Sequence, residues 1–264
     1  MSHAERVRYI KTVKTASTSP GYKPRYDKLL RLHKTIFYGH KIHAKDFFLP
    51  WHRWFLLQYE NLLRQIDCRV TVPYWDWSLV AGDPWSSSIW NTGGSGFGGN
   101  GVPEGRCVNT GPFKREVWSL PASAGGSCLR RNFNDNVRDA ITVANAISIL
   151  SHFHDFETVL RLDLHNRVHC SIGGTMCTDN SATAPEFFLH HGFIDKIWWD
   201  WQKKSDTRKF HDYFRNQAET MSSTSYHSRD LLDLNAQPGC VCAEYVNPRS
   251  AAYRNVQGLS QGYF

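Results

Sequence analysis

Apolar positions along residues 26–37 fall at Tyr26, Leu29, Leu30, His33, Ile36 and Phe37, the i, i+3, i+4, i+7 spacing that a helix gathers onto one face. His33 lies on that face. Residues 52–66 repeat the pattern with His52, Leu56, Tyr59, Leu63 and Ile66, so a second histidine sits on the core side of a helix. Residues 134–164 read as one helix that runs on through DFETVLRLDLHNRVH, where His165 and His169 are i and i+4 and stack on one side. Pro185 suits the first turn of a further helix, whose stripe is Phe187, His191, Ile194 and Trp198. The expected architecture is mainly α, with a four-helix bundle core drawn from about 26–40, 52–66, 154–169 and 186–202, long loops and little β.

Between these elements, VTVPYWDWS (70–78) is too β-branched and proline-containing for a helix and reads as a short extended segment ending in a turn. From Gly82 to Gly111, nine glycines mark a long surface loop. The 264 residues are read as one domain, 1–264, with a motif-bearing core of about 26–202 and a C-terminal extension, 203–264, packing on it.

Composition narrows the partners. Ten tryptophans, 14% aromatic residues and a mean hydropathy of -0.48 describe a core of large rings, and no apolar run approaches the roughly 18 residues of a membrane span. The net charge of +7 is scattered, with no run of Lys and Arg, so neither nucleic acid nor membrane is expected as a partner. The N-terminal stretch lacks an apolar signal region, which fits an intracellular or an already processed chain. Seven cysteines include no CxxC; Cys107 and Cys128 bracket one loop-rich stretch, Cys170 and Cys177 another, and Cys240 and Cys242 lie in the tail. A few stapled loops with one thiol left over would suit an oxidising compartment, and on that ground the chain is expected to be secreted.

The histidines carry the chemistry. His33, His43, His52, His165, His169 and His191 all fall on or beside apolar helix faces, in two sequence clusters of three. One buried histidine usually finds a hydrogen-bond partner in the core. Six together are different, because each unpaired imidazole costs on the order of 1–3 kcal/mol and a shared metal satisfies them at once. Three imidazoles per metal leave coordination positions open, and an all-nitrogen set favours copper over calcium or magnesium, with zinc also compatible.

The same residues resemble the tyrosinase and molluscan-type haemocyanin family of dinuclear copper proteins. One signature runs from His43 through FFLPWHRWF (47–55) to Glu60; the other runs from His165 and His169 through GGTM to Pro185, Phe187, Phe188, His191 and Asp195. With YDKLLRLH before them and VPYWDWS between them, the resemblance spans about residues 26–202. It implies two copper ions per chain, one held by His33, His43 and His52, the other by His165, His169 and His191. The family motif places the last ligand four residues before the aspartate, selecting His191 over His190. His40 is the rival to His33, which is preferred for its place on the stripe. Arg53 is expected to meet a carboxylate, Glu60 or Asp195.

Three departures stand out. Ala184-Pro185 replaces the family's Asp-Pro, removing a carboxylate from the helix start; Lys41 stands where some relatives carry a thioether-forming cysteine; and only about sixty residues follow the motif, with no large shielding domain. The resemblance implies a phenol oxidase that hydroxylates monophenols at the ortho position and oxidises o-diphenols to o-quinones with dioxygen, with phenolic small molecules or tyrosyl groups as substrates and melanin formation among its compatible uses. Asn166, beside His165, is expected to hold a water that takes the phenol proton, with Glu157 as its carboxylate partner and Asp163 as second choice. The alternatives are a catechol oxidase only, an oxygen carrier, or a redox-silent zinc-binding or structural relative. His152 and His154, at i and i+2 on different faces, are expected at the surface or a helix start.

Overall fold

The computed structural model describes residues 1–38, 42–43, 47–134, 137–213 and 215–247. Among them are seven α-helices: α1 (His3–Thr18), α2 (Lys23–Phe37), α3 (Phe48–Arg64), α4 (Ala140–Ile149), α5 (Phe153–Val159), α6 (Asn166–Ile172) and α7 (Phe187–Gln202). A π-helical turn, Leu160–His165, joins α5 to α6 without a break. Pairing of β type among the described residues is confined to isolated bridges such as Cys107 with Arg130. The chain is mainly helical, as its periodicity predicts.

The bundle core is α2, α3, the α5–α6 run and α7, with α3 against α7 and α7 against the π-helical turn. α3 begins at Phe48, so the FFLPW segment forms its entry. Pro50 costs nothing there, because the first intrahelical bond is Trp51 N–H to the Phe47 carbonyl and the amides before it have no helical acceptor. Trp51, His52, Arg53, Trp54, Phe55 and Leu56 are all buried, so this stretch is wrapped by protein on every side.

Two elements differ from the sequence reading. The expected single helix over 134–164 starts only at Ala140, capped by the Asp139 side chain, and is broken at Leu150–His152, where tertiary partners take the backbone groups that the break frees. The Leu150 carbonyl accepts the Trp201 indole N–H at 2.6 Å, and Phe153 N–H donates to Asp212 at 2.7 Å. α1 was not read from periodicity. Its signal is a capping box, in which the Ser2 hydroxyl caps the Glu5 amide while the Glu5 carboxylate caps the Ser2 amide, and Tyr9, Ile10, Val13 and Ala16 then bury against the bundle.

The glycine-rich loop is tied down by one buried ion pair. Arg131 grips Glu186 through both carboxylate oxygens, at 2.7 and 2.9 Å, and donates its remaining terminal nitrogen to the carbonyls of Phe97, Gly98 and Gly99. Glu186 is the residue immediately before α7, so a carboxylate does stand at this helix start, two positions later than the family pattern places it. Disulfides join Cys107 to Cys128 and Cys170 to Cys177. Three thiols remain, not one: Cys68, Cys240 and Cys242 are all free and exposed.

Candidate metal centre

His33 on α2, His43 in the connection and His52 on α3 face one another, with ring centroids 5.0, 5.5 and 5.2 Å apart. One nitrogen from each lies within 4.8 Å of the others. Both nitrogens of His33, Nδ1 of His43 and Nε2 of His52 are buried without a hydrogen-bond partner among the described residues. The rival His40, like Lys41, lies outside the described residues.

The second cluster is assembled from the π-helical turn, α6 and α7. Nε2 of His191 lies 3.2 Å from Nε2 of His165 and 3.2 Å from Nε2 of His169. His165 Nδ1 is 2.9 Å from the Asn166 side-chain oxygen and His169 Nδ1 is 2.7 Å from the Met176 carbonyl, so each donates its proton outward and turns an Nε2 lone pair inward. His52 does the same, with Nδ1 2.7 Å from the Phe48 carbonyl. Converging lone pairs repel unless a cation lies among them. Nitrogens bound tetrahedrally at about 2.0 Å to one metal stand about 3.3 Å apart, so the donor set fits a resident metal ion.

His190 reaches the same cluster: one of its nitrogens lies within 4.8 Å of nitrogens on His165 and His169. Its Nδ1 accepts the Trp77 indole N–H at 3.3 Å. That contact takes up Nδ1 of His190, while its Nε2, like Nδ1 of His191, is buried without a hydrogen-bond partner among the described residues. The two clusters abut, because the His52 and His191 rings stack at 4.5 Å.

Burial pushes every one of these imidazoles down, His43 to about 3 and His169 to about 4, so all are in the neutral, ligating form at neutral pH. Apolar rings pack around the imidazoles. Phe187 stacks on His191 at 4.0 Å, Phe48 meets His165 edge-on at 4.8 Å, and Phe37 and Phe55 each stand 5.8 Å from His33.

Arg53 points the other way round α3, and of its two expected partners it takes Asp195, at 2.7 Å. It also donates to Gln202 and to the carbonyls of Leu231 and Leu232, and its guanidinium lies 3.8 Å over Trp198. Asp195 receives the Tyr245 hydroxyl at 2.6 Å on its other oxygen, so helix α3, helix α7 and the C-terminal segment meet at one carboxylate. Glu60 accepts the Val72 amide instead.

Asn166 is exposed while His165 beside it is buried, which puts the amide at the edge of the cluster. Glu157 is fully buried and its carboxylate takes the Arg161 guanidinium at 2.5 Å. Asp163 is held by Arg138 and Arg167, whose hydrogen bonds keep its carboxyl below the usual range. His152 and His154 are exposed, one immediately before α5 and one in its first turn.

Two trios of inward imidazoles, three of them (His52, His165 and His169) tied to oxygens through Nδ1, define a histidine-only metal centre inside a helical bundle. The chain belongs to the tyrosinase family: residues 23–204 match the common central domain of tyrosinase. It is 35% identical over 204 residues to a tyrosinase of Streptomyces antibioticus, covering 68% of this chain and 73% of that one. It is 34% identical over 225 residues to the tyrosinase-like protein phomQ2 of Diaporthe leptostromiformis, covering 78% of this chain and 56% of that one. Its fold is shared with a polyphenol oxidase of Thermothelomyces thermophila (TM-score 0.74, 24% identity, 94% of this chain and 87% of that one) and an octopus haemocyanin functional unit (TM-score 0.66, 17% identity, 99% and 70%). No described helix is long and apolar enough to cross a membrane.

Proposed function

We propose that the chain is a secreted copper-dependent phenol oxidase that holds two copper ions, one on His33, His43 and His52 and one on His165, His169 and His191, and that it acts on phenols with dioxygen. The observation that carries this reading is the shared design of His52, His165 and His169, each giving its Nδ1 proton to a fixed oxygen and offering Nε2 inward. Family membership, and with it copper and oxidoreductase chemistry, supports it.

Bound copper supplies dioxygen binding and the redox change that the reaction needs. A catechol gives up two electrons and two protons to become the quinone; a monophenol also gains one oxygen atom at its ortho carbon. The protein holds the ligands neutral and lines the pocket with Phe37, Phe48, Phe55 and Phe187, so that water is excluded around the reacting ring. Asn166 is the proton-handling residue. Its oxygen is engaged with His165, which leaves the amide N–H group to hold a water at the edge of the cluster. A carboxylate accepting from that water makes it basic, and Glu157 fills this role.

One observation favours a catechol oxidase as the second reading. The Glu157 carboxylate is fully buried and engaged by the Arg161 guanidinium, which leaves it less free to accept from a water, and catechols need that base least. Copper-loaded protein is expected to oxidise a catechol and to hydroxylate a monophenol; catechol turnover alone would select the second reading, and turnover of neither at full copper occupancy would sink both.

A further inference from the structure

The second cluster leans on a loop that a disulfide closes. Cys170 directly follows His169, and Cys177 directly follows Met176, whose carbonyl takes the His169 Nδ1 proton at 2.7 Å. The bond therefore joins the two chain neighbours of one donor–acceptor pair, across a sequence separation of 7 and a Cα–Cα distance of 4.6 Å. The three tied imidazoles differ here. His52 uses a carbonyl one turn back on its own helix, and His165 uses the side chain next to it. His169 reaches across a loop, where an acceptor can move unless something fixes it.

The inner side of that loop is anchored. Thr175 N–H donates to the Arg130 carbonyl at 2.9 Å, and Gly174, at φ +56°, packs so closely that a Cβ would stand 2.2 Å from the same oxygen. The outer side is solvent: Cys170, Cys177 and Thr178 are all exposed. Only the sulfur bridge ties the Met176–Cys177 end of the loop covalently back to α6 at Cys170, immediately after His169.

We propose that the Cys170–Cys177 disulfide is a positioning element of the second metal site: it holds the Met176 carbonyl on His169 Nδ1 and so keeps the Nε2 lone pair turned into the cluster. This rests on the dinuclear reading above. The bridge touches neither substrate nor metal. Both cysteines are exposed residues while the ligand they serve is buried, so the bridge links the second site, and not the first, to the redox state of the surroundings.

The test uses Cys170→Ser/Cys177→Ser in the full chain, with copper per chain and chelator-driven copper release measured beside wild type. Wild type should hold two coppers. The variant should bind one of them about 10–100-fold more weakly, as loss of a ligand's outer partner typically does, and the other unchanged. The first site is the internal control, since a general loss of fold would weaken both. If the variant does not fold, folded metal-free wild type is reduced with a phosphine, alkylated, mapped by peptide mass, and compared with protein alkylated without reduction, which caps only Cys68, Cys240 and Cys242. Two coppers held with wild-type affinity when the bond is open, or equal weakening of both, would overturn the proposal. Fewer than two coppers on wild type itself would overturn the dinuclear reading, and the proposal with it.

Discussion

Asn166→Ala is expected to lower kcat/KM for monophenol hydroxylation by about 10²–10⁴-fold, the range typical when a positioned base is lost, and to lower catechol oxidation less. The asymmetry follows from the substrates. A catechol is more acidic and more easily oxidised, so it depends less on a held water, while both substrates need the same metal ligands and the same pocket. The hydrogen bond from His165 to Asn166 adds a competing effect, because removing the amide also frees His165 to turn, and a loosened ligand harms both substrates alike. Steady-state kinetics on one monophenol and one catechol at matched copper content separate the two, since their ratio cancels any shared loss. Glu157→Gln should repeat the asymmetry. Asp163→Asn should not, because that carboxylate has no part in the proposed water site and ties α6 to Arg138 instead. Equal losses on both substrates for Asn166→Ala would leave the residue as an orienter of His165 and nothing more.

Arg53→Met is expected to destabilise the fold by about 3–5 kcal/mol, the cost of leaving one partner of a buried ion pair uncompensated. Asp195 is 4% exposed and would keep, among the described residues, only the Tyr245 hydroxyl, while the carbonyls of Leu231 and Leu232 and the Gln202 amide oxygen would lose a donor. At roughly 2–4 °C per kcal/mol for a chain of this size, the melting temperature should fall by about 6–20 °C, read by thermal unfolding of the metal-free protein. Arg53→Met combined with Asp195→Leu should cost less than the two single changes added, because the second change removes the stranded charge. A fall under 1 kcal/mol for the single variant would mean that the pair contributes no more than a surface contact.

How far the sequence reveals this structure depends on the range of the forces involved. α2 was legible because it buries one stripe, and a stripe leaves a 3.6-residue period in the chain; α3 and α7 carry apolar residues at the same spacing although protein surrounds them on nearly every side. The break at Leu150–His152 left no such trace, since Trp201 and Asp212 cause it from 51 and 59 residues away. The pairing of Arg53 with Asp195 needed the fold to choose between two carboxylates 7 and 142 residues distant in the chain. Arg131 escaped notice because its partner Glu186 is 55 residues on, and a lone arginine in a loop reads as solvated. The neighbours His190 and His191 look alike in sequence; what separates them is the Trp77 indole on His190 Nδ1, a contact across 113 residues.

Copper content by elemental analysis of wild type and three single variants tests the dinuclear assignment most directly. Wild type should hold two coppers per chain, and His52→Ala and His191→Ala should each lose one, because a site with three protein ligands does not keep its metal on two. His190→Ala should keep both, since its Nδ1 is taken by the Trp77 indole. Two tightly held coppers in His52→Ala, or loss of one from His190→Ala with His191→Ala intact, would contradict the assignment.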